Sequence, residues 1–396
     1  MAGVRAVVAH GGGPTAVLNA SLAGLVEECR RGGRFAALEG ARFGAQGLLA
    51  GGYVDLLAQP AALIEAVAQA PGSAIGSSRR KLETAEYEHI VQDFRRREVR
   101  WFFYTGGNGS MGTALELQRF ARESGYELGV TGIPKTIDND LPVTDHTPGY
   151  ASTARFFAFA ARDVGEDNRS LPSPICVLET LGRNAGWIVA ATSLGRRHED
   201  DAPHLIYFPE WPLSLDRMAA DVERVYRRLG RAVVAVCEGQ LDESGQPFGA
   251  AVDRPHQAQH RLASNLGHAL AQLLAAKTGL RARAEKPGLL GRSCGPFASP
   301  LDRAEACECG RAAARAAMEG RSGCMVAIRR ESSQPYRSST FLTPLETVAG
   351  RERTLPPDWV APEGNDVLAA FQDYARPLIG DVPGYPRLLE SPTTAC

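Results

Sequence analysis

The chain has 396 residues, a length that predicts about two domains because one hydrophobic core rarely serves more than about 250–300 residues. Hydrophobic residues make up 44% and charged residues 22%, which is typical of a globular protein and excludes disordered, collagen-like and coiled-coil chains. The 44 basic and 45 acidic side chains leave a net charge of −1, which argues against nucleic-acid or membrane binding through bulk charge.

The sequence also carries no targeting signal that we recognise. No apolar run reaches the ~20 residues that span a bilayer, and Met1–Arg5 leads into a strand without the apolar core of a signal peptide. Eight cysteines in a chain of this length do not make a disulfide framework. We therefore expect a cytoplasmic protein that binds small molecules, with neither nucleic acid nor a membrane as partner.

Three of the cysteines, Cys307, Cys309 and Cys324, lie close together in the sequence. No Cys-x-x-Cys spacing accompanies them, and the first two fall in an alanine- and arginine-rich helical pattern. Small packing residues explain them better than a zinc site does. Any role beyond packing stays open at this level.

The first 140 residues repeat one pattern, in which a short apolar strand runs directly into a polar turn. Predicted helices follow two of these turns, one at Ala16–Arg30 and one that ends at Glu123. The predicted strands and their turns are Val4–Ala9 with Gly11–Thr15, Trp101–Tyr104 with Gly106–Ser110, and Leu128–Ile133 with Pro134–Asp140.

The same pattern continues later in the chain. Strands are predicted at Ile175–Glu179, before Gly182–Gly186, and at Ala232–Cys237, before Glu238. Strands that alternate with helices predict an α/β fold with parallel sheets, here in two interleaved domains. Each polar turn falls at the carboxyl end of a strand, where such folds bind ligands. Further helices are predicted at about Pro255–Lys277 and at Arg303–Glu319, on either side of the basic segment Arg281–Arg292.

Two glycine-rich turns are candidates for holding phosphate groups. Gly11–Gly13 opens a helix, whose N–H groups and dipole attract anions, and Gly107–Ser110 follows another strand. Neither matches the dinucleotide fingerprint or the Walker A motif. A third loop, Gly76–Lys81, adds hydroxyls and cations, among them Arg79. Each segment alone is typical of an ordinary turn or a solvated loop, but together they favour an extended polyphosphate.

The segment Pro134–Asp140 is the most informative. Asp138 and Asp140 are spaced so that one can accept a hydroxyl proton while the other helps to hold a metal ion. Lys135 can neutralise charge on a transferring phosphoryl group. An isolated Asp-Asn-Asp is typical of a turn, but only four of the 44 basic residues are lysines, which favours a catalytic role for this one.

Later strand ends supply groups that suit a sugar. Arg183 and Glu238 follow neighbouring predicted strands and suit sugar hydroxyls. Arg283 and Arg292 suit an anionic group on that sugar. As single residues, all four are equally typical of structural ion pairs.

Taken together, these motifs resemble the phosphofructokinase family over essentially the whole chain, from Gly11–Ala20 to Leu355–Trp359 and Tyr374–Ile379. Thr136–Asp140 is highly specific for that family. Lys135, Asp145–Gly149 and Gly182–Trp187 look most like its pyrophosphate-type branch. The resemblance implies two interleaved Rossmann-like domains with mostly parallel sheets. It also implies Mg²⁺-dependent phosphoryl transfer to the 1-hydroxyl of fructose 6-phosphate, in a homo-oligomer, either a dimer or a tetramer.

The resemblance also implies a role for each matching residue. Asp138 is the expected general base, with Asp140 and Lys135 as the other catalytic residues, and Asn108 and Asp140 are the expected metal ligands. The expected donor-phosphate residues are Gly12, Arg79, Gly107, Asn108, Gly109 and Ser110. The expected acceptor residues are Thr136, Asp138, Leu181, Gly182, Arg183, Glu238, Arg283, Leu289 and Arg292.

The implied domain division has three parts. Residues 1–140 form a donor-phosphate-binding α/β domain, with a later segment that returns to it. Residues 141–330 form a sugar-phosphate-binding α/β domain, and residues 331–396 pack back on the core.

Several residues depart from the family pattern. Asn108 stands where ATP-using members have a magnesium-binding aspartate, and Gly109 stands where pyrophosphate-type relatives usually have an aspartate. The acceptor side departs at Pro174, where bacterial ATP-type tetramers have an arginine, and at Leu181, Leu289 and Gly291, which make the pocket less polar. Fructose 6-phosphate is therefore not necessarily the best acceptor.

These departures leave the donor open. Because Gly109 removes an obstacle to a nucleotide, we predict ATP as the donor; Lys135 supports pyrophosphate as the alternative. A non-catalytic sugar-phosphate or nucleotide-binding relative is a further alternative, although such a protein has no need of a base. The missing fingerprint argues against a nicotinamide-dependent enzyme.

Overall fold

The computed structural model describes residues 3–171, 174–248 and 265–388. Its strands, in chain order, are β1 Val4–His10, β2 Phe35–Ala41, β3 Tyr53–Asp55, β4 Val99–Gly106, β5 Gly129–Pro134, β6 Ile175–Thr180, β7 Leu205–Ile206, β8 Ala232–Cys237, β9 Ala282–Glu285, β10 Cys324–Ser333 and β11 Tyr336–Pro344. Its helices are α1 Leu18–Gly32, α2 Ala45–Ala50, α3 Ala61–Gln69, α4 Thr84–Arg96, α5 Asn108–Glu123, α6 Tyr150–Ser170, α7 Trp187–Ala191, α8 Leu215–Leu229, α9 Leu266–Thr278, α10 Leu290–Ser293, α11 Pro300–Met318 and α12 Ala369–Ile379.

Two mostly parallel sheets organise these elements. The first has seven strands in the order β11-β10-β5-β4-β1-β2-β3, with antiparallel pairing at its two edges. The second has four parallel strands in the order β7-β8-β6-β9. Separate clusters of buried apolar side chains pack on both faces of the first sheet. The predicted α/β class and interleaved sheets are confirmed.

The chain returns to the first sheet after it has built the second. β10 pairs with β5, and α11 packs along α1 so closely that a Cβ atom at Gly24 or Gly310 would collide with the other helix's backbone. The helix α11 and the start of β10 therefore lie with the first sheet; the predicted division counted them in 141–330 but also expected a later segment to return to residues 1–140. The division itself remains a prediction.

The three clustered cysteines take packing positions. Cys309 is buried between α11 and α1, and Cys307 and Cys324 are free thiols whose pKa is raised by burial. Within the described ranges, no group of three or more His, Cys, Asp or Glu side chains is arranged to hold a metal ion. In the same ranges, no helix is both long and apolar enough to cross a bilayer.

Predicted and observed elements differ mainly in their ends. The helix predicted at Ala16–Arg30 runs from Leu18 to Gly32, and the one predicted at Arg303–Glu319 begins at Pro300, where Ser299 accepts a hydrogen bond from the Asp302 N–H. The predicted helix Pro255–Lys277 begins outside the described residues; its described part is α9. The basic segment after it forms β9 and the short helix α10.

Candidate active site

The polar turns of both sheets meet at one cavity of about 520 Å³. Carboxyl ends of β1, β4 and β5 reach it from the first sheet, and the loop after β6 reaches it from the second. The sequence-predicted residues that line it are Gly12, Arg79, Gly107, Asn108, Gly109, Ser110, Lys135, Thr136, Asp138, Asp140 and Arg183. The location predicted from the strand ends is therefore where these side chains converge.

Two glycine loops form the floor of this cavity. Gly12 has a φ of 80°, a left-handed conformation that suits glycine, and its N–H donates to the Ser78 carbonyl at 2.8 Å. The Ser77 hydroxyl donates back to the Gly12 carbonyl at 2.7 Å. Gly107 is the N-cap of α5, so the first N–H groups of that helix open into the cavity beside Ser110. The start of α5 therefore offers an anion cradle, whereas the N–H groups of Gly11 and Gly12 are already paired with the carbonyls of Thr105 and Ser78.

A buried cation lies between the two loops. The Lys135 Nζ donates to the carbonyls of Gly11 and Gly13 at 2.7 and 2.8 Å, and the residue is only 3% exposed. Burial and the nearby Arg292 guanidinium lower the pKa of Lys135 to about 8. Two hydrogen bonds therefore fix its ammonium group at the edge of the cavity.

The paired carboxylates of Asp138 and Asp140 follow Lys135 on the loop after β5. Burial, then repulsion from Asp140, raises the pKa of Asp138 well above the usual carboxyl range, and burial also raises the pKa of Asp140. The Asp138 N–H donates to the Thr136 hydroxyl at 3.1 Å. One buried oxygen of Asp140, Oδ1, has no hydrogen-bond partner. A carboxyl pair with raised pKa values is suited to proton transfer.

The same carboxylates fit a magnesium ion. Mg²⁺ prefers oxygen ligands and is commonly held by one or two carboxylates together with substrate phosphates and water. The unpartnered Asp140 Oδ1 is such an oxygen, and Asn108 is the other predicted ligand. Glu352, which was not predicted, accepts from Asn108 Nδ2 at 3.5 Å and from Asn184 Nδ2 at 3.1 Å. Burial is the main cause that raises the pKa of Asp140, and the negative charge of Glu352 raises it further.

On the acceptor side, the predicted residues divide into two groups. Arg292 lies next to the Gly13 backbone, beside Arg79. Its positive charge interacts with the carboxylates of Glu238 and Asp138. Arg183 in turn lowers the pKa of Glu238, which burial raises. These charged groups surround the carboxylate pair. Gly182 forms the turn after β6 with a φ of 107°.

Other predicted acceptor residues lie elsewhere. Arg283 lies within β9 and not at its carboxyl end, and it pairs with Glu285 at 2.6 Å. The Leu289 side chain is 65% exposed, outside the cavity lining, and Leu181 is buried in the apolar core. Gly291 leaves room for Phe157, whose ring a Cβ at that position would overlap. In the described single chain, Arg283, Leu289 and Leu181 are therefore not brought to the cavity.

Sequence reasoning also missed residues on the segment after β11. Glu352 lines the cavity, and Arg353 donates to backbone carbonyls of the loop that carries the carboxylates. Neither stands at a strand end or in a motif, so the sequence held no signal for them.

Comparison with known proteins shows the family to which the chain belongs. The family model described as Phosphofructokinase matches residues 5–317. The chain belongs to the phosphofructokinase family.

Two curated relatives and one solved structure illustrate the range of this family. The pyrophosphate–fructose 6-phosphate 1-phosphotransferase of Rhodospirillum rubrum is 40% identical, over 95% of this chain and 94% of that protein. The sulfofructose kinase of Alkalicoccus urumqiensis is 30% identical, over 90% of this chain and 92% of that protein. A crystal structure of pyrophosphate-dependent phosphofructokinase from Marinobacter aquaeolei superposes with a TM-score of 0.86 at 31% identity, covering 97% of this chain and 93% of that one. This chain thus has the phosphofructokinase fold and is a phosphotransferase of that family.

The charges of this phosphofructokinase-family site predict a bell-shaped pH dependence of kcat/KM. Activity should fall on the acid side as Asp138 takes up a proton, well above the ordinary carboxyl pKa of about 4, because burial raises its pKa. Activity should fall again near pH 8 as Lys135 loses its proton. A pH–rate profile of the free enzyme checks both limbs, and an acid limb near pH 4 would contradict the assignment.

Proposed function

We propose that this protein transfers a phosphoryl group from pyrophosphate to the 1-hydroxyl of fructose 6-phosphate or a closely related ketose phosphate. The observation that carries the proposal is the buried Lys135 ammonium, fixed by two carbonyls between the phosphate loops. When pyrophosphate is the donor, the leaving group is orthophosphate, which is small and highly charged. The Lys135 ammonium group would stabilise that charge. The names of the Rhodospirillum and Marinobacter relatives support the same donor.

This proposal reverses the preference for ATP that the sequence suggested. That preference depended on Gly109 alone. Gly109 is exposed, and a Cβ atom there would have no neighbour within 4 Å. The open space favours ATP as a second candidate, because nothing at that position excludes a nucleotide. The open space at Gly109 leaves room for a nucleotide but supplies no contact that binds it. Lys135, in contrast, contributes a fixed positive charge that attracts the phosphate groups of a donor.

The reaction follows from the side chains around the cavity. Asp138 accepts the proton of the sugar 1-hydroxyl, a bond forms between that oxygen and the phosphorus atom, and the bond from phosphorus to the departing orthophosphate breaks. Lys135 and the N–H groups at the start of α5 stabilise the charge on the transferred and departing groups. Arg79 suits the donor phosphates and Arg292 the phosphate of the sugar, because guanidinium groups pair with such anions in a bidentate manner.

Magnesium fits this scheme through Asp140 and Asn108. When bound, the ion would neutralise phosphate charge and align the donor. Asn108 contributes an uncharged oxygen, so the nearby Glu352 carboxylate helps to supply the negative charge on that side of the cavity.

The acceptor is proposed at the level of a ketose with an anionic group. Leu181 and Gly291 lie against Phe157 outside the cavity lining, so the acceptor is proposed from the charged groups around the carboxylates and not from these residues. A site that leaves a sugar hydroxyl unpaired discriminates against that sugar by about 1–3 kcal/mol. The relative named sulfofructose kinase motivates testing a sulfonate acceptor beside phosphate acceptors.

A matrix of two donors and several acceptors tests the proposal. We expect kcat/KM with pyrophosphate to exceed that with ATP for every good acceptor, with fructose 6-phosphate among those compared. Gly109→Asp should leave pyrophosphate turnover nearly unchanged and remove residual ATP turnover, because a carboxylate there adds bulk and negative charge. Turnover with ATP and none with pyrophosphate would establish the second candidate instead.

A further inference from the structure

The loop that carries the catalytic carboxylates has two non-glycine residues with a positive φ. Asn139, between Asp138 and Asp140, has a φ of 55°, and Val143 has a φ of 72°. A β-branched residue rarely adopts a positive φ, because its side chain crowds the backbone. Such conformations persist only when surrounding contacts enforce them, and they concentrate at functional sites.

Arg353 supplies several of the contacts that hold this loop. Arg353 donates from Nε and Nη2 to the Asn139 carbonyl at 3.2 and 2.9 Å, and from Nη1 to the carbonyls of Thr144 and Asp145 at 2.8 and 2.7 Å. Its backbone N–H donates to the Asp140 carbonyl at 2.7 Å. The guanidinium plane in turn lies over the Trp187 ring at 4.6 Å. Arg353 therefore contacts the loop at both ends of the strained stretch.

A second contact fixes the side chain between the two carboxylates. Asn139 is fully buried; its Nδ2 donates to the Tyr374 hydroxyl at 2.9 Å, and its Oδ1 accepts from the Thr147 N–H at 3.1 Å. The Tyr374 hydroxyl donates to the Asp145 carbonyl at 2.8 Å. Tyr374 lies on α12, so the C-terminal part of the chain holds the loop at two independent points.

We propose that Arg353 is a positioning residue for phosphoryl transfer: it holds the strained loop 139–145 so that Asp138 and Asp140 face the reacting groups. The proposal rests on the proposed function in that these carboxylates perform the chemistry, but it does not depend on which donor is used. Lysine cannot replace Arg353, because one ammonium group cannot reach three carbonyls in the fixed geometry of a guanidinium fork.

Arg353→Lys tests this role, with Arg351→Lys as the matched control, since Arg351 is an exposed arginine two positions earlier. A displacement of about 1 Å in a catalytic group costs about 10²-fold in rate. We expect Arg353→Lys to lower kcat about 10²-fold, with both KM values and the melting temperature changed little. Arg351→Lys should match the wild type. Guanidinium ion added to Arg353→Ala should restore part of kcat without raising the melting temperature, whereas a purely structural role would require both to recover.

Relief of the backbone strain gives a second test. Glycine adopts a positive φ freely, so Val143→Gly should recover part of the activity lost in Arg353→Lys. Tyr374→Phe, which removes only a hydroxyl, should also lower kcat more than it raises KM. These assays use whichever donor the wild type turns over. If the wild type shows no activity with pyrophosphate, that result contradicts the proposed function but leaves the positioning role to be tested with ATP. The positioning role is overturned if Arg353→Lys keeps kcat within threefold of wild type, or if its loss appears only in KM or in stability.

Discussion

Asp138→Asn should lower kcat by about 10²–10⁴-fold, the range expected when a general base is removed. Asparagine keeps the size of the side chain but cannot accept the proton of the sugar hydroxyl. Both KM values should change less, because Asp138 contributes to the transition state more than to binding. Steady-state kinetics with the best donor and acceptor measures the split between kcat and KM.

The same variant should also change Asp140. Asp138 and Asp140 repel each other as one buried pair, in which the charge of Asp140 raises the pKa of Asp138. When an uncharged amide replaces the Asp138 carboxylate, this repulsion is lost, so Asp140 should titrate at lower pH. Asp358→Asn serves as the matched control, since Asp358 is exposed on a turn outside the cavity lining. Near-normal turnover in Asp138→Asn would remove Asp138 from the mechanism, whatever the control shows.

Lys135→Met should lower kcat with pyrophosphate by about 10²–10³-fold, the usual loss when one preorganised electrostatic group is removed from an active site. Methionine has a similar length but no charge, so the departing orthophosphate loses its buried counter-ion. The alkaline limb of the pH–rate profile near pH 8 should disappear with it, because that limb reports the Lys135 ammonium group. Kinetics and pH profiles of the purified variant measure both effects.

Lys277→Met provides the control for Lys135. Lys277 is one of the four lysines and lies half exposed on α9, outside the cavity lining. Its Nζ pairs with Asp216 Oδ1 at a distance of 2.5 Å. Exposed ion pairs contribute little, so this variant should keep wild-type kinetics. A melting-temperature measurement on both variants separates lost charge from lost folding, since the carbonyls of Gly11 and Gly13 lose their donor in Lys135→Met. Equal loss of activity in the two variants would contradict the assignment.

Much of the site could be predicted because the fold itself puts strand ends together. Gly12, Asn108 and Asp138 follow three different strands, and parallel strands bring their carboxyl ends to one edge of a sheet. A glycine turn, a helix start and an acidic pair at such ends are local patterns that the sequence shows directly. The family resemblance then related those positions to roles.

Other parts could not be predicted because they depend on contacts between distant segments. Arg353 lies 214 positions from Asn139, and the chain must leave the first sheet, build the second and return before the two meet. Arg283 was expected in the site because it is basic, but its place within β9 pairs it with Glu285. The strain at Val143 depends on backbone geometry, which residue type alone does not reveal.

The donor preference shows the same limit. Gly109 and Lys135 gave opposing indications in the sequence, with no measure of their relative weight. The structure shows that Gly109 faces open space, whereas Lys135 is buried and fixed by two hydrogen bonds. We give an ordered charge beside the proposed donor site more weight for the choice of donor than the missing side chain at Gly109.

The most direct measurement is ³¹P NMR of the purified protein with Mg²⁺, fructose 6-phosphate and pyrophosphate. The account predicts that the pyrophosphate signal falls while orthophosphate and a phosphate ester at carbon 1 rise in equal amounts, and that Asp138→Asn suppresses both products. Formation of the ester from ATP but not from pyrophosphate, or conversion of pyrophosphate to orthophosphate without any ester, would contradict it.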